Sequence, residues 1–317
     1  MVGIGPFVTI PLFIAAMNGP QALIAWVIAA VLVICDGLIW SELGAALPGS
    51  GGTYHFLREI FGKSSSGWGR MLPFLFVWQF LVSGTMEIAS GYTGAMPYVE
   101  YVWPNLAATL NAWRIPGGTS SLAAVCCLIV TWLLSRRIDV VGWLGIVFGI
   151  GTLITVLTII VAGLLHFDAA LLTFPPDAFE ITPNWVRGLG AAMLIAIYDY
   201  FGYYNICHLG EEVRDPGRTI PRAVIGSVVL VAVLYLIMNL SIIAVVPWQE
   251  AMQSKEIAAL FMETLFGRRI AVVFTGLILW TALACMFAIT LGYSRIPYAA
   301  AINGDFFPSF ARVHPTK

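Results

Sequence analysis

Charged residues are scarce in this 317-residue chain. Asp, Glu, Lys and Arg make up 10% of it, against about 25% in ordinary soluble domains. Hydrophobic residues make up 59%, which excludes a water-soluble globule and predicts an all-α, polytopic membrane helical bundle. The formal net charge of -1 and the lack of a basic stripe with interleaved aromatics exclude a nucleic-acid partner.

Residues that catalyse reactions or bind metals are also few. The four histidines do not cluster in the sequence, no HExxH pair occurs, and no nucleophile stands beside a His and an acid at motif spacing. The five cysteines lie within or at the ends of apolar runs, without the paired spacing of a disulfide framework or a zinc site. We therefore predict no enzyme activity, no metal site and no cofactor.

Apolar runs of roughly membrane-spanning length, about eight in number, divide the chain. They cover residues 3–17, 21–47, 71–98, 121–135, 140–166, 186–210, 223–246 and 270–301. The connections are too short for a separate soluble domain, so we expect one transmembrane domain over residues 1–317. Lys and Arg concentrate in the loops after the second, fourth, sixth and eighth runs. By the positive-inside rule, these loops and the C-terminal tail are cytoplasmic in a multi-pass protein of the plasma membrane.

Two of the runs contain helix breakers at comparable places. Gly3, Gly5 and Pro6 interrupt the first run, and Gly202 follows the acid Asp199 near the centre of the sixth, five spans later. Paired broken helices in corresponding halves indicate an inverted-repeat transporter with its binding site near the membrane midplane. Because Gly and Pro are common in membrane helices, plain kinks and close helix contacts are the alternative.

Four motifs lie in order around these runs. They are residues 3–7 at the first break; residues 42–54, 57–59 and 61–62 after the second run; residues 202–205, 211–216 and 220–222 at and after the second break; and residues 294–297 and 304–305 with Phe310, His314 and Pro315 after the eighth run. Together they resemble the amino acid-polyamine-organocation (APC) family of permeases over essentially the whole chain. The resemblance implies secondary active transport of amino acids or related amines by alternating access.

The resemblance also implies a fold. Five helices would be repeated with inverted topology, as in the leucine transporter, and the family usually has twelve helices. Residues 1–166 would form a first repeat that lacks the start of helix 1, and residues 185–317 an incomplete second repeat that stops after helix 8. We therefore expect a partial leucine-transporter-type bundle, truncated at both ends. A non-transporting fragment, or a membrane channel or enzyme of another class, is the alternative.

The same resemblance places the substrate at the two helix breaks. A broken helix exposes N–H groups at one cut end and C=O groups at the other, so together they can hold a carboxylate and an ammonium group. N–H groups would come from the first break and C=O groups from the second, where aromatic side chains would act as gates. The candidate substrate-binding residues are Gly3, Ile4, Gly5, Ile197, Tyr198, Asp199, Tyr200, Phe201 and Gly202.

Three acids inside the runs, Asp36, Glu87 and Asp199, are candidate coupling or pathway residues. A carboxylate at the bilayer centre costs about 2.5–3.5 kcal/mol on insertion scales, so each is expected to face the bundle or an aqueous path. Asp199 could pair with a substrate amine or bind a coupling proton, or it could cap the second half of its helix. Glu87 could serve a proton route or a cationic substrate, or be a hydrogen-bonded structural acid.

A block of charge follows the second break on the cytoplasmic side. Glu211, Glu212, Arg214 and Asp215 could form the salt bridges of an inner gate. An ordinary solvated loop is the alternative, since exposed pairs contribute only about 0–1 kcal/mol each. The expected partners are an amino acid or amine substrate and membrane lipid. The sequence leaves the particular substrate, the coupling ion and the oligomeric state open.

Overall fold

The computed structural model describes residues 2–62, 68–136 and 138–312, so the motif positions His314 and Pro315 lie outside the described residues. The described residues form an all-α fold. The helices up to the middle of the chain are α1 (Gly5–Met17), α2 (Leu23–Ala46), α3 (Thr53–Phe61), α4 (Trp68–Gly94), α5 (Met96–Val102), α6 (Leu106–Ala112), α7 (Thr119–Leu134) and α8 (Ile138–Leu165). The remaining helices are α9 (Pro183–Tyr200), α10 (Pro216–Ile243), α11 (Trp248–Ala251), α12 (Ile257–Phe266) and α13 (Arg268–Ile302).

Five segments of the described chain are long and apolar enough to cross a membrane. They are Pro20–Ala46, Gly69–Val102, Val140–Leu165, Pro216–Ile243 and Arg268–Ile302. The helices α1, α7 and α12 are apolar but shorter, and α9 stops at the break in the sixth run. Each predicted run therefore contains a helix, and the prediction of a multi-pass helical bundle is confirmed at this level.

One buried helix was not predicted. The ten residues of α12 are too short to span a membrane, so they fall below the length that marks a membrane-spanning run. Ile257, Ala258 and Phe261 are fully buried, and α12 packs along α13. Its apolar face is thus part of the protein interior.

The helices pack in two groups. In the first group α2 packs along α10, and α9 packs against both α1 and α2. In the second group α13 packs against α8, α4 and α7, while α8 also touches α10. The breaks of α1 and α9 therefore lie in the first group and face the second.

Trp26 lies at the centre of the first group and is fully buried. Its ring makes edge-to-face contacts with Phe13, Tyr200 and Tyr235, at centroid distances of 5.6, 5.2 and 5.7 Å. Such aromatic pairs contribute about 0.5–1.5 kcal/mol each beyond the burial of their area. The contacts join α1, α2, α9 and α10, so they hold these four helices together as one group.

Candidate functional site

The break in the sixth run lies where the sequence predicts it. The helix α9 ends at Tyr200, Phe201 turns to an extended ψ of 158°, and Gly202 has φ 108°. That positive φ favours glycine because glycine has no Cβ to clash with the backbone. A 3-10 helix, Tyr203–His208, follows. The last carbonyl groups of α9 therefore have no partner within the helix.

The break in the first run lies directly before α1. The helix begins at Gly5, and no side chain caps its N-terminus. A side chain at Gly3 would overlap the sulfur of Cys285, and one at Gly5 would overlap the carboxylate of Asp199. Both glycines are thus needed for close approach, and the first turn of α1, whose N–H groups have no partner within the helix, lies beside Asp199. Pro6 lacks an N–H and removes one donor from this turn.

Asp199 lies on the last turn of α9 and is only 5% exposed. The hydroxyl of Thr9 donates a hydrogen bond to its Oδ2, whereas its Oδ1 has no hydrogen-bond partner in the described part of the chain. The structure does not support capping of the second half of the broken helix. The N-cap residue of the 3-10 helix after the break is Gly202, and no side chain caps that helix. The carboxylate of Asp199 instead lies beside Gly5, at the positive end of the α1 dipole.

A cavity of about 220 Å³ opens at this junction, between α1, α4, α9 and α13. Of the predicted binding residues, the ones that line it are Gly3, Ile4, Gly5, Tyr198, Asp199 and Phe201. The other three lie elsewhere because successive helix residues point in different directions. Ile197 packs against the hydrophobic core, Tyr200 is fully buried against Trp26, and Gly202 lines a neighbouring cavity.

Several lining residues were not predicted. They are Pro6, Val8, Thr9, Ser90, Gly91, Gly94, Cys285, Met286 and Ile289. A signal existed on α4, since Ser90, Gly91 and Gly94 follow Glu87 at the spacing of one helix face. No such signal marks the residues of α13, which belong to a long apolar run.

Glu87 lies at the boundary between two cavities. It lines the first cavity and also a second one of about 320 Å³, and Phe201 lines both as well. The hydroxyl of Tyr293 on α13 lies 2.6 Å from its Oε2 and donates to it. Nearby, the hydroxyls of Ser90 and Tyr198 lie 3.3 Å apart and join α4 to α9 across the first cavity.

Asp36 does not reach either cavity. It accepts a hydrogen bond from the hydroxyl of Tyr203, in the 3-10 helix after the break. One turn further along α2, Trp40 stacks on Tyr204 with centroids 5.0 Å apart. Asp36 therefore attaches the second half of the broken helix to α2, a contact that spacing along the chain could not reveal.

Within the described parts of the chain, the charged block contributes one ion pair. Glu212 lies 2.7 Å from Arg295 on α13, a partner that the sequence did not indicate. Glu211, Arg214 and Asp215 form no ion pair with the described residues. Asp215 instead occupies the N-cap position of α10, with φ 49°.

Backbone contacts also join the loop after α2 to the segment that follows the second break. The N–H of Gly51 donates to the carbonyl of His208 at 3.1 Å, and Ser50 pairs with Leu209 in an isolated antiparallel bridge. A side chain at Gly52 would overlap the ring of His208. The loop after α2 thus closes directly onto the end of the 3-10 helix.

Comparison with known proteins identifies the family of the chain. The model of the family described as "Amino acid permease" matches residues 1–317. The chain belongs to the amino acid permease family. This confirms the resemblance found in the motifs, and the family is one of transporters rather than enzymes.

Three relatives illustrate the match. The chain is 28% identical to the large neutral amino acids transporter small subunit 2 of Mus musculus over 249 residues, 78% of this chain and 45% of the relative. It is 27% identical to the cationic amino acid transporter 4 of Mus musculus over 333 residues, 99% of this chain and 49% of the relative. It is 26% identical to the serine/threonine exchanger SteT of Bacillus subtilis (strain 168) over 325 residues, 100% of this chain and 68% of the relative. The chain thus spans about half the length of the two mouse relatives.

Proposed function

We propose that this chain carries the substrate site of a secondary active permease for amino acids or related amines. The observation that supports it most is the meeting of two helix ends in one cavity. The N-terminus of α1 and the C-terminus of α9 both face Asp199 there. The names of the three relatives all refer to amino acids, which favours the same class of substrate.

The two helix ends suit the two charged groups of an amino acid. N–H groups at the start of α1, from Gly3 to Gly5, which have no partner within the helix, would donate to the carboxylate. The last carbonyl groups of α9 would accept from the ammonium group. Oδ1 of Asp199 adds a carboxylate acceptor on the same side, while Thr9 holds Oδ2 in place.

The rest of the cavity would surround the side chain of the substrate. Val8, Met286 and Ile289 supply an apolar wall, and Met286 packs directly against Gly91 on α4. A short apolar side chain fits this wall without desolvating a polar group. A second amine would instead point towards Glu87, where the carboxylate lies between the two cavities.

Alternating access would use the two breaks as hinges. The group of α1, α2, α9 and α10 would rock against the group of α4, α8 and α13, with Phe201 separating the two cavities. The contact of Gly51 with His208 and the ion pair of Glu212 with Arg295 would open when the cytoplasmic side opens. Closure on the other side of the substrate would involve the hydroxyls of Ser90 and Tyr198.

An inverted repeat would account for the helix pairing. Helices that lie five spans apart pack on each other three times: α1 with α9, α2 with α10, and α4 with α13. A two-fold axis in the membrane plane would place such counterparts together. We propose residues 1–166 and 185–317 as parts of the two repeats, in a plasma-membrane protein whose C-terminal tail is cytoplasmic.

Parallel assays of amino acid uptake and amino acid binding test this proposed function. The chain is reconstituted in liposomes and assayed for uptake of radiolabelled alanine, leucine, serine and lysine, with unlabelled competitors. We expect saturable, competable uptake that Asp199→Asn reduces, since the substitution removes a charged acceptor from the cavity. The control is Asp177→Asn, which makes the same chemical change at a position outside this cavity.

Binding of the same amino acids to the purified chain separates the site from the transport step. Binding without uptake would contradict the proposed transport but would still support the proposed substrate site. Ion current without saturable uptake, or equal binding by both Asp variants, would overturn the proposal.

A further inference from the structure

His208 is a buried imidazole that the proposed transport mechanism does not use. It is the last residue of the 3-10 helix after the second break and is only 2% exposed. The backbone of Gly51 approaches the ring, but neither ring nitrogen has a hydrogen-bond partner in the described part of the chain. Because a buried polar group without a partner is costly, this ring destabilises the closed packing around it.

The loop after α2 closes over this ring. A side chain at Gly52 would overlap Nδ1 of the imidazole, and one at Gly210 would overlap the backbone of Gly49. The N–H of Gly51 donates to the backbone carbonyl of His208 itself. We call this contact of residues 49–52 with residues 208–210 the inner junction. While the inner junction is closed, the imidazole is shielded from solvent.

The imidazole lies among aromatic rings rather than charges. The titratable groups that face it are the phenols of Tyr204, on the same 3-10 helix, and Tyr293 on α13, with ring centroids 6.1 and 6.0 Å away. Further ionisable residues on the adjoining stretches of the chain are Asp36, Glu42, His55, Glu211, Glu212, Arg214, Asp215, Arg218, Arg222 and Arg295. None of them forms a hydrogen bond with the ring, so a proton added to it has no acceptor group to stabilise it.

We propose that His208 is a pH-sensitive switch of the inner junction, which stays closed while the imidazole is neutral and opens when the imidazole is protonated. A neutral imidazole has one N–H, whereas a protonated one has two N–H donors and a full charge. Burial of an unpaired charge costs far more than burial of a neutral group, so the closed junction excludes the protonated form. Opening of the junction lets water hydrate the ring, which then titrates as an ordinary histidine does.

The direction and size of the effect follow from this difference in proton binding. The open form binds the proton and the closed form does not, so the open form gains population as the pH falls. With a pKa of about 6.5 for an exposed imidazole, the ratio of open to closed forms rises about tenfold between pH 8 and pH 5.5. An acid cytoplasm would thus favour opening of the substrate site to that side. Only this last consequence rests on the proposed transport function.

Alkylation of Cys207 measures the opening. Its buried sulfur lies between the 3-10 helix and α2, where a side chain at Gly44 would overlap it. The purified chain is treated with a water-soluble maleimide from pH 5.5 to pH 8, and mass spectrometry follows the peptide that contains Cys207. Each rate is divided by that of glutathione at the same pH, which removes the titration of the thiol itself. We expect the relative rate to be about tenfold higher at pH 5.5 than at pH 8.

Two substitutions remove the titrating group. His208→Gln keeps a polar side chain and His208→Phe keeps a planar ring, so one variant serves if the other folds poorly. In both, the relative rate should no longer depend on pH, whatever its absolute value. His166→Gln is the matched control, since the ring of His166 bonds the carbonyl of Ala162 at the end of α8 and lies outside the junction. His166→Gln and His55→Gln should both keep the tenfold rise.

The possible outcomes are distinct. A relative rate that does not change with pH in the parent chain would overturn the proposal without any variant. A rise that persists in both His208 variants, or that disappears in His55→Gln or His166→Gln, would also overturn it. A pH-dependent rate in a chain without amino acid uptake would support the switch and contradict the proposed transport. Uptake with a pH-independent rate would support the transport and overturn the switch.

Discussion

Replacement of Gly5 by alanine would test the contact at the centre of the proposed site. The added methyl group would overlap Oδ1 of Asp199, and Cγ of the same side chain lies only 3.4 Å away. The carboxylate must therefore move away from α1 and from the hydroxyl of Thr9. The backbone at Gly5 is helical, so alanine itself is compatible with the local conformation.

The size of the effect follows from the interactions that move. A hydrogen bond to a charged group contributes about 1.5–3 kcal/mol, so its loss predicts substrate binding weaker by about ten- to a hundredfold. Helix propensity works in the opposite direction, because alanine favours a helix over glycine by about 1 kcal/mol. Thermal stability should therefore change little while binding falls. That combination separates a damaged site from a damaged fold.

The assay is equilibrium binding of a radiolabelled amino acid to the purified chain, with the thermal midpoint measured in parallel. Gly190→Ala is the matched control: Gly190 also lies in a helix, α9, and an added methyl there meets nothing within 4 Å. Gly190→Ala should bind like the parent. Equal affinities of the Gly5 and Gly190 variants would refute the reasoning, since they would show that Asp199 need not touch the start of α1.

Three more perturbations have defined outcomes. Glu87→Gln keeps the hydrogen bond with Tyr293 but removes a charge from the edge of the cavity. Competition assays should therefore show that the affinity for lysine falls about tenfold while the affinity for alanine is unchanged. Equal losses of affinity for both amino acids would contradict this prediction. Arg295→Gln breaks the partly exposed pair with Glu212, which contributes at most about 1 kcal/mol, so the thermal midpoint should hold. Labelling of Cys285, which lines the proposed substrate cavity, by a water-soluble thiol reagent should rise; unchanged labelling would exclude a gating role. Burial lowers the pKa of His55 below its ordinary value of 6.5, so the folded state resists protonation and stability should fall as the pH drops through about 6.5. His55→Gln should flatten that part of the stability curve, and an unchanged slope would show that other groups cause it.

The elements that sequence reasoning found are those with a local signal. A run of apolar residues long enough to cross a bilayer predicts a helix whatever surrounds it, so the spans around α2, α8 and α10 were located from composition alone. Gly202 after Asp199 marked the second break, because an acid and a helix breaker inside an apolar run are costly unless they face the protein interior or a cavity. The ten residues of α12 lacked such a signal, since a short apolar segment does not distinguish a buried helix from other structure.

Tertiary structure decides which side chains contact each other. Thr9 and Asp199 are 190 residues apart, and their bond depends on how α1 crosses α9. Asp36 and Glu87 are both acids inside apolar runs of the sequence. In the structure, Asp36 accepts a hydrogen bond from Tyr203 outside the two cavities, whereas Glu87 lines both cavities. The sequence determined where the chain is apolar, where it breaks and which family it resembles, because these are properties of neighbouring residues. The environment of each acid depends on helix rotation and crossing, which only the packed bundle sets.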